Sequence, residues 1–457
     1  MLDRRSFMHS AAGFAALFPF ASPELLKAEL LKAADTPTQL PDYPFAATEL
    51  LKAELLNADT PTQLPDRSLY DKDEEAYWTA VRKTFLIPEG MVYLNNGTVG
   101  SSPMPVLRAI FDGFLETEKM ENDNTEVYPI WGYEPYIEFR KPLADFLHVP
   151  YQFLALLRNA TEANSYIANG FEMKAGDEVL MSDQEHPGGE LPWQLRAKRY
   201  GIVVKKYEIP KPPKSPAEIL NRINDAITPK TRILFTSHIS TVTGVVQPVK
   251  EIAKLCRSKG IVSAFDGAHV PGMMKLDITD IGCDMYTASP HKWLQAPKGT
   301  GFLYIRDTVM DRVWNTIVTH GWDEPQLLAE RFMHIGSSNV PILMGLRASV
   351  EMANSIGMER IEKRHRTMAD YLHKEMMNRG AESWTSPDPA MRCAIATVNV
   401  PPVKRMDLQN WLWQKKHIRI RGGEPSKLRL STPYYLLKKD VDRFLASFDE
   451  FKKTQMG

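Results

Sequence analysis

The 457-residue chain is short of cysteine, has no surplus of charge of either sign, and carries no apolar run long enough to hold it in a bilayer. Each shortage removes a class of function. Cys256, Cys283 and Cys393 are odd in number and widely spaced, which argues against a disulfide framework and against paired metal ligands. No metal is expected, and the thiols read as buried apolar fillers. Lysine and arginine total 56, as do aspartate and glutamate, so nothing predicts a field that would hold a nucleic acid. The apolar stretch Ala11 to Ala21 is interrupted by Pro19 and falls short of the roughly 20 apolar residues that a spanning helix needs. A stable membrane anchor is therefore not expected.

The chain does hold two unusual leading segments. Arg4 and Arg5 precede that apolar stretch, the order of a twin-arginine export signal over residues 1–22. This predicts passage through the twin-arginine translocase and a periplasmic location. A tandem duplication follows, with Glu24 to Asp42 returning one residue shorter as Glu49 to Asp66. Two copies do not bury a continuous solenoid face, so residues 23–70 read as a spacer or a loosely docked arm. The remainder is 43% hydrophobic by the chain average and long enough for two domains, placed at 71–340 and 341–457.

Within 71–340, apolar strand-like runs alternate with helical stretches: Phe153 to Arg158, Val179 to Ser182, Ile233 to His238 and Ile261 to Phe265, with a helix over Pro248 to Lys259. This α/β alternation predicts a mostly parallel, doubly wound sheet, with ligands gathered at the carboxyl edge of its strands. Asn159 and Glu162 have capping-box spacing after the first run. A helix starting there offers free N–H groups and a positive dipole end to an anion. From about Pro341 long helical stretches lead into further strands, which suits a small C-terminal α/β domain.

The chemistry concentrates in Ala288 to Pro297, where Lys292 stands among Ser289, His291 and a following Pro-Lys-Gly-Thr-Gly turn. Upstream, the run Ile261 to Phe265 ends in Asp266-Gly267-Ala268-His269. A lysine that must act as an amine nucleophile needs a desolvated or cation-rich setting. An aspartate at a strand end can hold a pyridine nitrogen protonated, which makes the ring an electron sink. Taken singly, each residue would be ordinary; the joint pattern points to bound pyridoxal 5′-phosphate.

From Tyr93 to Phe444, and most firmly at Asp266 to His269, Asp277 to Asp284, Ser289 to Trp293 and Lys298 to Ile305, the chain resembles the class V aminotransferases. These are fold type I pyridoxal phosphate enzymes that include isopenicillin N epimerase-like proteins and cysteine desulfurases. The resemblance implies that Lys292 forms the Schiff base, that Asp266 contacts the pyridine nitrogen and that His269 lies near the phenolic oxygen. It further implies that Ala160, Thr161, Ser289 and His291 hold the phosphate, and that His186 stacks on the ring. Asn96 and Gly97, in the turn after Met91 to Leu94, fall near the substrate, and Arg429 matches the family's carboxylate clamp. Ser337 occupies a position whose hydroxyl reaches the neighbouring subunit's phosphate, which implies a homodimer with shared active sites.

The implied activity is an aminotransferase- or epimerase-like reaction at the α-carbon of an amino acid or a peptidyl amino-acid side chain. A C–S lyase is an alternative. So is a periplasmic siderophore-tailoring enzyme similar to the one acting in pyoverdine maturation. Cysteine desulfuration is disfavoured, because His417 to Ser431 contains no cysteine and Cys393 begins an apolar strand, a poor place for a reactive thiolate. The fold alone would also permit a non-catalytic ligand-binding protein; the presence of Lys292 argues for an enzyme.

Overall fold

The computed structural model describes residues 60–119, 135–421 and 426–455; the export signal and all but the end of the duplicated arm lie outside the described residues. After the helices Ser68–Lys72 and Glu74–Arg82, strand β1 (Val92–Tyr93) precedes a seven-stranded sheet. Its members are β2 (Leu154–Leu157), β3 (Glu178–Ser182), β4 (Val203–Tyr207), β5 (Thr231–Ser237), β6 (Val262–Asp266), β7 (Met285–Ala288) and β8 (Gly301–Ile305). Their order is β2-β8-β7-β6-β5-β3-β4, with β8 antiparallel to both of its neighbours and the other pairings parallel. The fold is thus α/β of fold type I, with the mostly parallel sheet that the alternation predicted.

The central strands are buried along their whole length, as expected where helices cover both faces of a parallel sheet. The helix Val249–Ser258 shows how such a cover is encoded. Its buried residues Val249, Ile252, Ala253 and Cys256 recur at the spacing that places them on one stripe. Among the described residues, no helix is long and apolar enough to cross a membrane.

Toward the C-terminus the long helices Val340–Ile356 and Met358–Asn378 lead into a three-stranded antiparallel sheet, ordered β12-β10-β9. These strands are β9 (Glu382–Ser383), β10 (Ile395–Asn399) and β12 (Lys427–Ser431). Leu372, Val398, Leu428, Leu430 and Phe444 share an apolar cluster beneath the covering helices. The run Ile418 to Ser431 divides into β11 (Ile418–Arg419) and β12, and β11 pairs in parallel with β1. Asn95 continues this seam by bridging Ser431, so the turn after β1 is laced to the C-terminal strands.

Candidate active site

The carboxyl ends of β2, β3, β5, β6 and β7 converge on a cleft of about 310 Å³ lined by Ala160, Thr161, His186, Asp266, His269, Ser289, His291 and Lys292. These eight come from four separate stretches of sequence; the sheet topology gathers them because parallel strands all end on the same edge. The volume falls within the range of small-molecule sites. Among the described residues no cluster of histidine, cysteine, aspartate or glutamate could hold a metal ion.

Lys292 reaches the cleft from the loop after β7. Burial brings its amine down to about 8, a shift that Asp266 opposes and that Arg429 and Arg421 reinforce. At pH 7 about one molecule in ten then carries a neutral amine, against about one in three thousand for an ordinary lysine at 10.5. The rate at which pyridoxal phosphate is captured by the cofactor-free protein is therefore expected to rise about tenfold per pH unit up to about 8 and then level off. Stopped-flow absorbance across pH 6–10 checks this, and a rise continuing toward 10.5 would contradict it.

Asp266 is buried, and its carboxylate is fixed from two sides. The Ala268 N–H donates to Oδ1 at 2.9 Å and the Asn164 amide donates to Oδ2 at 2.8 Å. The acceptor-only carboxylate thereby fixes the orientation of that amide, and the Thr287 hydroxyl donates to its carbonyl at 2.6 Å. Each carboxylate oxygen retains a lone pair. Sequence reading missed Asn164 and Thr287, since their link to Asp266 spans β7 and the helix Ala160–Gly170.

His269 carries a definite tautomer. Its Nδ1 accepts the Trp293 indole N–H at 3.1 Å, and tryptophan can only donate. Burial, followed by the charge of Lys292, holds the imidazole well below its usual range, hence neutral. Its proton therefore sits on Nε2, a buried atom with no partner in the protein. The site thus contains a donor waiting for an acceptor.

At the other end, the helix Ala160–Gly170 begins as the capping spacing predicted: Asn159 Oδ1 accepts the Glu162 N–H at 2.9 Å, a cap worth about 1 kcal/mol. Glu162, however, accepts from the Arg158 N–H at 2.8 Å and not from Asn159, so the reciprocal half of the box is displaced by one residue. The Ala160 N–H donates to Ser289 Oγ at 2.8 Å, which ties the helix start to the lysine loop. His291 Nδ1 lies 3.2 Å from the Thr300 carbonyl, which can only accept. Burial lowers this histidine to about 4, so its Nε2 is an acceptor at neutral pH. To reach a phosphate oxygen with that atom, His291 must first take up a proton.

His186 is the cap of the helix Pro187–Tyr200, its Nδ1 accepting the Gly188 N–H at 3.0 Å. Pro187 stands at the first helical position, where its fixed backbone angle suits a helix start. Gly188 allows close passage, since a Cβ there would lie 2.5 Å from Thr161 Oγ1. Behind this turn the buried Glu185 accepts from Ser182 Oγ, from Thr236 Oγ1 at 2.7 Å, and from the Ser237 N–H and Oγ at 2.9 and 2.5 Å. Burial nonetheless raises its carboxyl above the usual range. Sequence reading assigned it nothing.

Asn96 and Arg429 sit differently from expectation, and Ser337 stands outside the cleft. Asn96 is fully buried; its amide donates to the Lys292 carbonyl at 3.0 Å and its carbonyl accepts from the Tyr435 hydroxyl at 2.9 Å. Its polar atoms are thus spent on holding the lysine loop, and the substrate contact expected of it is replaced by a positioning role. Ser337 does not join this cleft: it lines a second one with Arg158, Lys298 and Gly299. Arg429 is buried just behind Gly97, donating to Thr241 Oγ1 at 2.7 Å and Thr98 Oγ1 at 2.9 Å. The arginine that lines the cleft itself is Arg421, which sequence reading missed. Its signal was present in Ile418-Arg419-Ile420-Arg421, an apolar/basic alternation that turns successive side chains to opposite faces.

Gly97 lies where Arg429 and His269 come together. A Cβ there would stand 2.9 Å from Ser431 Oγ, 3.3 Å from Arg429 Nη2 and 3.4 Å from His269 Cε1. Gly97→Ala is therefore expected to raise KM for the amino acid about tenfold, since small displacements of positioning groups are costly. Steady-state kinetics beside a thermal melt separate this from loss of folding; an unchanged KM would show that the neighbours absorb the methyl.

The model of the class-V aminotransferases matches residues 92–444. The chain belongs to that family. It is 28% identical over 396 residues to the isopenicillin N epimerase of Streptomyces clavuligerus, covering 82% of this chain and 98% of that one. It is also 28% identical over 351 residues to a probable cysteine desulfurase of Methanothermobacter thermautotrophicus, covering 75% and 86%. In fold it is similar to the apo cysteine desulfurase of Thermococcus onnurineus NA1, with a TM-score of 0.74 at 23% identity over 82% of this chain and 97% of the other. A C-DES mutant solved with glycine covalently linked to its PLP cofactor gives 0.72 at 23% identity, over 80% and 98%.

Pyridoxal 5′-phosphate is the cofactor of this class-V chain, and the residues present fit it. The unpartnered Nε2–H of His269 suits a phenolic oxygen, the lone pairs left on Asp266 suit a pyridinium N–H, and the helix start at Ala160 and Thr161 suits a phosphate.

Proposed function

We propose that this class-V member acts at the α-carbon of an amino acid, free or at the end of a peptidyl side chain, in an aminotransferase- or epimerase-like reaction. The observation that carries this reading is Lys292: an amine brought near 8, facing a fixed carboxylate across one cleft. When bound, pyridoxal phosphate supplies an electron sink for negative charge at the substrate α-carbon. Lys292 anchors the cofactor and carries the α-proton at Nζ. Asp266, locked by Ala268 and Asn164, keeps the pyridine nitrogen protonated. His269 donates from Nε2, His186 covers the ring, and the Ala160–Thr161 turn with Ser289 and His291 secures the phosphate. Arg429 takes the α-carboxylate and so orients the α-carbon.

Desulfuration through a protein persulfide is disfavoured by the thiols themselves. All three cysteines are buried, and burial pushes Cys256 and Cys393 up to about 12 and Cys283 higher still; none lines the cleft. A shared homodimeric site is part of the proposal, supported by Ser337, which sits in a separate cleft of its own chain where it could serve a second copy. Export to the periplasm by the twin-arginine route is proposed from Arg4 and Arg5 and the apolar stretch after them. The alternative substrate of an exported member is a siderophore precursor such as that of pyoverdine.

An absorbance spectrum tests the reading. Purified protein incubated with pyridoxal phosphate is expected to show a yellow band near about 410–430 nm that bleaches with a substrate amino acid. A protein that stays colourless would overturn the proposal and favour a non-catalytic binding role.

A further inference from the structure

Two guanidinium groups meet at one side of the cleft, and neither is paired with a carboxylate among the described residues. Arg429 is 3% exposed, donates to the neutral oxygens of Thr241 and Thr98, and leaves its Nε without any acceptor. Arg421 lines the cleft and makes a long 3.4 Å contact to the same Thr98 hydroxyl. Sharing one hydroxyl brings the two cations close together, and their repulsion reinforces the effect of burial on Arg429. Desolvated charge without a counter-ion is costly. The arrangement persists because β11 and β12 hold it, with Arg421 bridging Arg429 through the backbone.

The remaining charges of the cleft are already assigned. Asp266 faces the cofactor nitrogen, and the cofactor's phosphate belongs at the Ala160–Thr161 turn. A substrate with one carboxylate would neutralise one arginine and leave the other bare. We propose that Arg429 and Arg421 form a paired anion site that selects amino acids bearing a second acid group on the side chain, Arg429 taking the α-carboxylate and Arg421 the side-chain carboxylate. The substrate class is thus a dicarboxylic amino acid such as aspartate, glutamate or 2-aminoadipate. This rests on the α-carbon chemistry proposed above and narrows it.

The test compares acids with their amides on the cofactor-loaded protein: glutamate against glutamine and aspartate against asparagine, by spectral titration for affinity and by kcat/KM. At least one acid is expected to bind at least about tenfold more tightly than its amide, as a single fork-to-carboxylate pair allows. Arg421→Gln is expected to bring that ratio to about one, Arg421→Lys to leave it intermediate, and Arg429→Gln to weaken acid and amide alike. Ratios near one for every pair in the unaltered protein, or a ratio that survives Arg421→Gln, would overturn the proposal. Calorimetry with glutarate against butyrate reads the same preference without any amine chemistry, so a failure of the anion site is distinguishable from a failure of the proposed reaction.

Discussion

Lys292→Ala is expected to reduce turnover of any amino-acid substrate by at least about 10⁴-fold, because one side chain serves both as covalent anchor and as proton carrier. The loss should fall on kcat and kcat/KM together, the mark of a group acting in the chemical step. The same change should not lower the melting temperature of the cofactor-free protein. Burial disfavours the ammonium form of Lys292, so its removal relieves a desolvated charge. Activity and thermal melts on one preparation decide both points; residual turnover within about a hundredfold of the unaltered protein would exceed what either lost role allows.

Asp266→Ala is expected to follow with a fall in kcat of about 10²–10³-fold while pyridoxal phosphate still binds, since electrostatic stabilisation at a developing charge is worth that much. The neighbours make the effect specific. The Ala268 N–H and the Asn164 amide both donate to this carboxylate, and the Thr287 hydroxyl holds the far end of the Asn164 amide. Asp266→Asn retains the shape but turns one donor toward the Asn164 donor, so it should be scarcely better than alanine. Full kcat in Asp266→Asn would show that the pyridine nitrogen does not need the charge.

Much of this could be read from the sequence because it rests on local pattern. Strand-like runs ended close to where β2, β3, β5 and β6 end, and residues at strand ends in a parallel sheet share an edge, so the place of Asp266 was legible from pattern, whereas Ser289 and His186 came from the family resemblance. The Asn159 cap was legible for the same reason. What escaped depends on contacts between distant segments. Asn164, Thr287 and Trp293 act on the site through pairings that no spacing encodes, and Asn96 carries its amide inward because Tyr435 and the Lys292 carbonyl await it. The helix after His186 starts on an N-terminal proline and a histidine cap. Arg421 was overlooked because the short β11 ends just before it and the backbone bridge to Arg429 turns the two arginines to the same side.

The central claim is that Lys292 is the residue that holds the cofactor. Borohydride reduction of the pyridoxal phosphate-loaded protein, followed by proteolysis and mass spectrometry, tests it most directly. The account predicts the phosphopyridoxyl mass on the peptide carrying Ser289 to Trp293, at Lys292. An unmodified Lys292, or the label spread over surface lysines, would contradict it.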